Sequence, residues 1–289
     1  MDSCFHGSLC VAAFYEYLKL SIMRSIFSYW HFGLVTSVFL IGLCLLYLYI
    51  ISFKLRKQSL YFFGGILLII VCVASPLHFL AENYLFSAHM VSHVLLLLIA
   101  APLLVAGNPK ENKFKKFFLK LSTNKIRIFV LCWFTGVSVM WFWHIPYIFN
   151  QATSMHGMGL MYLQWLSLLF AGIIFCWPVI NPYREYRIPP LSAVLYLSTA
   201  CMFCTILGLM ITFAPLGIYS HYLNINDSYG YLNLIRNQWK ISAGIDQQAA
   251  GLIMWVPCCF IYLTASMAIL INWFDKKELY PVPETAVIK

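Results

Sequence analysis

The side chains best equipped for chemistry in this sequence are its histidines and the methionines beside them. His89-Met90-Val91-Ser92-His93 sets two imidazoles four residues apart, so on a helix they stand one turn apart on one face. Neutral imidazole is a ligand for copper, zinc and iron, and a thioether next to it adds a preference for Cu(I). The pair opens an apolar stretch that runs to Gly107-Asn108-Pro109. Ionisable groups are costly in hydrocarbon and face a bundle interior or an aqueous cavity, so this pair is the first place to look for function.

The elements that must hold the pair are membrane helices. A chain of 289 residues with 62% hydrophobic and 10% charged residues and a mean hydropathy of +0.79 has too little polar surface for a soluble domain. The formal charge of +9 could point to nucleic acid. The basic residues lie in short segments between apolar runs, however, where membrane orientation accounts for them and nucleic acid is not needed. Seven apolar runs are long enough to cross a core of roughly 30 Å. They cover His31 to Phe53, Tyr61 to Phe79, Ser87 to Ala106, Ile126 to Ile148, Gly157 to Ile180, Leu191 to Pro215 and Gln247 to Phe274. The expected fold is an all-α bundle of about seven spans over 31–274, followed by a short tail at 275–289. Residues 1–30 lack the basic start and clean apolar core of a secretory signal. They read as an interfacial segment, or as lying upstream of a true start at Met23.

Of the 19 Lys and Arg residues, 15 fall in the first, third and fifth connections and the tail. The positive-inside rule then puts the N-terminus outside and the C-terminus in the cytoplasm. On that topology His31, His78, His89, His93, His144, His156 and His221 all lie at the outer end of the bundle. Any one of them could simply cap a helix or bind a carbonyl at the interface. Taken together they predict an outward-facing site for a soft metal, with His89, His93 and one or more of His78, His144 and His156 as ligands. Met90 and Met158 are possible additional donors, and His31 and His221 read as interfacial. Asp246, where the seventh span starts, and Glu82, in an outer loop, are candidates for orienting a ligand histidine or for helix capping.

The cysteines read mainly as packing residues. Cys201-x-x-Cys204 shares a helix face and could serve as a waypoint for copper, but it lies at mid-membrane without a neighbouring histidine, and Cys258-Cys259 points two ways around its helix. No GxSxG, HExxH, Walker loop or GxGxxG is present, which argues against an enzyme.

The sequence also carries a family likeness. Ser75-Pro-Leu-His78, Leu85-Phe-Ser-Ala-His-Met-Val-Ser-His93, Pro102-Leu-Leu with Gly107-Asn-Pro109, Trp143-His-Ile-Pro146, and Asp246-Gln with Gly251-Leu-Ile-Met-Trp255 follow one another in order. This series resembles the polytopic CtaG family of cytochrome c oxidase assembly factors, the multispan kind and not the single-span copper chaperone that shares the name. Ser92, where many members have Gln, and Ala249-Ala250-Gly251, in place of a more glycine-rich form, depart from the pattern. The resemblance implies a multi-pass protein of the bacterial plasma membrane that matures a haem-copper oxidase by handing copper to a docked oxidase subunit. It implies His78, His89, His93, His144 and His156 as the family's histidines. A haem protein using two of the same histidines, or a copper transporter, are the alternative functions.

Overall fold

The computed structural model describes residues 26, 28–53, 55–108, 125–154, 158–181 and 187–279, and every regular element among them is helical. The N-terminal segment, most of the lysines of the third connection and the tail beyond residue 279 lie outside the described residues. We number the main helices α1 (Leu34–Ile50), α2 (Ser59–Ala74), α3 (Pro76–Asn83), α4 (Phe86–Val94), α5 (Ala101–Ala106), α6 (Lys125–Trp143), α7 (Pro146–Thr153), α8 (Met158–Ile180), α9 (Pro190–Phe213) and α10 (Ala243–Leu279).

Each predicted span lands on helix. Five stretches are long and apolar enough to cross a membrane: Phe86–Ala106, Ile126–Trp143, Gly159–Ile180, Pro190–Phe213 and Ala243–Asp275. A sixth arises if α2 and α3, which bend by 42° at their junction, form one span. α1, at 17 residues, is a shorter apolar helix, so the described residues hold five to six candidate spans where seven are expected.

Local chemistry explains the breaks. Ser75 leaves helical geometry and accepts the Leu77 amide at 3.1 Å, with Pro76 as the first residue of α3, where its missing N–H costs nothing. The Ser-Pro step therefore turns the second span and re-aims His78. Between α4 and α5 the chain winds as a π-helix over Leu95–Ala100, immediately after His93. Pro102 has no N–H to give the Leu98 carbonyl, and its ring crowds that turn, so the preceding hydrogen bonds shift register. Gly172 of α8 accepts the widened turn, since a methyl there would stand 3.0 Å from the Leu97 carbonyl.

The central span, Phe86–Ala106, is the most enclosed of the five. α2, α8 and α10 pack around it. Tyr47 of α1 donates to the Gly107 carbonyl at 2.9 Å and so ties the first helix to its far end. α9 and α10 form a tight pair at two glycines, where a methyl on Gly208 would stand 2.8 Å from the Gly251 carbonyl. Outward residues such as Leu34, Val38, Leu191, Phe213 and Phe260 are exposed, as a lipid-facing surface requires.

Candidate metal centre

Three helices bring the site together. α4 carries His89, Met90 and His93, and all three are buried. α6 ends at Trp143, and Pro146 opens α7 two residues beyond His144, which holds that histidine in a tight link. The His89 and His93 ring centroids are 4.4 Å apart, and those of His93 and His144 are 5.4 Å apart. His93 thus stands between the other two.

Hydrogen bonding fixes which nitrogens are available. His144 Nδ1 lies 2.6 Å from the Met140 carbonyl, which can only accept, so Nδ1 carries the proton. The lone pair of Nε2 then faces Met90 Sδ at 3.3 Å. The His89 ring lies near the Ala81 carbonyl, and its Nε2 has no partner. That nitrogen is free to offer a lone pair. Neither nitrogen of His93 has a partner, although the residue is only 2% exposed. Leaving a buried polar group unsatisfied costs about 1–3 kcal/mol, and a carbonyl fixing the tautomer of a ring is the usual support for a metal-binding imidazole. Bare Nε2 lone pairs beside a thioether make a donor set suited to a soft cation. Among the described residues no group of three or more His, Cys, Asp or Glu side chains stands placed to hold a metal ion, so these rings would have to turn to converge.

Asp246 resolves its two readings in an unexpected way. It caps a helix, but α4 and not its own. Its carboxylate accepts the amides of Phe86 and Ser87 at 2.8 and 3.0 Å and the Ser87 hydroxyl at 2.6 Å. Leu85, at the N-cap of α4, has no side chain to give, so α10 supplies the anion to the histidine helix across the bundle. Gln247 beside it donates to the carbonyls of Ile211 and Ala214 and closes the end of α9.

The chain between α9 and α10 roofs the site. Tyr222 donates to the Ala81 carbonyl at 2.5 Å, and Tyr219 donates to the His144 carbonyl at 3.1 Å. Phe149 and Phe86 are fully buried against these rings. Tyr84 anchors the roof through Asp227 at 2.8 Å, and burial, then that carboxylate, push its phenol up, so it remains a donor.

The other expected residues stand apart. His78 pairs with Glu82 at 3.4 Å and lies edge-on against Trp165, with no ring contact to His89, His93 or His144. Glu82 therefore attends His78, while its carbonyl meets His221 Nε2 at 2.9 Å. His31 is exposed. His156 and the side chain of Met158 lie outside the described residues. Ser92, the departure beside His93, is taken up by the Ala88 carbonyl of its own helix.

Residue order alone did not reveal the roof tyrosines or Gln164, whose amide is fully buried with neither atom partnered. Gln164 had a signal, as a lone amide inside the apolar run of α8. The tyrosines bind backbone far away in the chain and leave no pattern.

The model of the cytochrome c oxidase caa3 assembly factor family, Caa3_CtaG, matches residues 52–276. The chain belongs to this family. No curated protein and no solved structure matches it. The stretch matched to the caa3 assembly factor family takes in α3, the π segment, the roof and every histidine of the cluster. Membership and the apolar helices together make this a multi-pass membrane protein concerned with cytochrome c oxidase assembly.

Proposed function

We propose that the protein binds copper as Cu(I) at His89, His93, His144 and Met90 and passes it to a subunit of the caa3-type oxidase during assembly. The observation that carries this reading is the set of unpartnered imidazole nitrogens buried against a thioether, on a helix whose start is held by Asp246. Copper is the cargo here, and no bond of any substrate is made or broken. The chain supplies neutral donors with the His144 tautomer set by the Met140 carbonyl, excludes water with Phe86, Phe149 and Tyr222, and releases the ion by ligand exchange when the roof opens. His78 with Glu82, and His221 beside them, form an outer station through which the ion passes first.

In this reading α1 crosses at its limit as the first of seven spans, the N-terminus is outside, and this end of the bundle faces outward from the bacterial plasma membrane. Ring centroids only 4.4 and 5.4 Å apart leave no slab between the histidines for a macrocycle, which favours a bare ion over haem.

The test is made in cells that assemble the oxidase. With His89→Ala/His93→Ala, copper per oxidase and oxidase activity should fall together at least tenfold, while His31→Ala leaves both within twofold. Unchanged oxidase copper in the double variant would reject the proposal.

A further inference from the structure

The cysteines that the sequence scatters over two helices meet in the membrane interior. Cys201 and Cys204 lie near the middle of α9, each at least about 13 Å from either end at 1.5 Å per residue. Cys258 and Cys259 lie opposite them on α10. Cys201 Sγ is 3.0 Å from Cys259 Sγ, and Thr205 Oγ1 is 3.4 Å from the same sulfur. Cys204 Sγ is 3.6 Å from Met140 Sδ and also touches Cys258, whose thiol donates to the Met254 carbonyl at 2.7 Å. Packing accounts for one buried cysteine, but it gives no reason for four thiols of two helices to meet as two pairs, Cys201 with Cys259 and Cys204 with Cys258, the second beside the Met140 thioether.

We infer that this cluster is a second soft-metal site, taking Cu(I) between the sulfurs of α9 and α10. Thiol and thioether donors select Cu(I) over hard cations, which need oxygen ligands. Two sulfur donors satisfy Cu(I), so the absence of a ready group of three among the described residues is no obstacle. Charge favours the same ion. One Cu⁺ displaces one thiol proton, Cu⁺ + RSH giving Cu–SR + H⁺, with the proton released to water and copper remaining Cu(I). The product is neutral when the other donors are a thiol or the Met140 thioether, and only a neutral complex avoids the large cost of a charge in low dielectric.

Met140 also joins this site to the histidines, because its carbonyl accepts from His144 while its sulfur touches Cys204. The thiol geometry stands independently of the histidine site, and the two can fail separately.

The experiment uses the full chain in detergent, anaerobic and reduced, loaded with Cu(I) from a bicinchoninate buffer and read by copper X-ray absorption. His89→Ala/His93→Ala should retain copper with a sulfur-only shell. Cys201→Ser/Cys259→Ser should lose at least half of that sulfur-bound copper while keeping the nitrogen-bound fraction. Absence of sulfur-bound copper, or its persistence in the cysteine variant, overturns the inference. So does a Cys201–Cys259 disulfide in protein purified under thiol-blocking conditions, which would make the pair a redox element. Should the variants not fold, Ag(I) titration of the wild-type chain decides instead. A thiolate-to-metal absorption band must appear, and its absence overturns the site.

Discussion

His93 has a side chain that the fold itself does not use. Both ring nitrogens are buried without a partner, between two other imidazoles. A group kept at a cost of about 1–3 kcal/mol is retained for something other than stability. His93→Leu should therefore leave the metal-free protein as stable as wild type or raise its unfolding temperature by a few degrees, while removing nitrogen-bound copper. Thermal unfolding in detergent, with and without Cu(I), checks this, and marked destabilisation of the metal-free variant would make His93 a structural residue. At this scale the sequence was partly informative. The spacing of His89 and His93, and the shared bundle end of His144, showed the cluster, because helical period and topology are both written in residue order. The split of His78 from it was hidden, since it depends on the turn at Ser75-Pro76. So was the role of Asp246, whose partners lie on a helix about 160 residues away in the chain.

Helices in this bundle meet where side chains are absent. At Gly251 a methyl group would meet the Thr212 hydroxyl and would stand 2.6 Å from the Gly208 carbonyl and 2.7 Å from the Thr212 amide, two backbone atoms that cannot turn aside. Gly251→Ala should force α9 and α10 apart at an expected cost of about 1–3 kcal/mol. It should lower the unfolding temperature and pull the Cys201 and Cys204 sulfurs away from α10. Gly42, where an added methyl group would meet nothing within 4 Å, is the control, and Gly42→Ala should be neutral or better. Equal effects of the two substitutions would contradict this packing. The helices themselves were legible from hydropathy, because apolar length is a property of residue order. The π segment was not, since Pro102 marks a disturbance without saying how neighbouring turns absorb it.

For the whole molecule, delivery of copper from this site requires the roofed histidine end to face outward. Reporter fusions test this directly. Alkaline phosphatase inserted in the roof at Tyr229, which is exposed, should be active, and a fusion after Leu279 should be inactive. The reverse pattern would place the histidines in the cytoplasm. The proposed delivery of copper depends on buried imidazoles and Met90 holding the ion. Copper X-ray absorption on the purified, reduced, Cu(I)-loaded protein decides this, comparing wild type with His89→Ala/His93→Ala. Imidazole scattering should be present in the wild type and disappear in the double variant. Identical spectra, or copper bound by sulfur alone in the wild type, would contradict it.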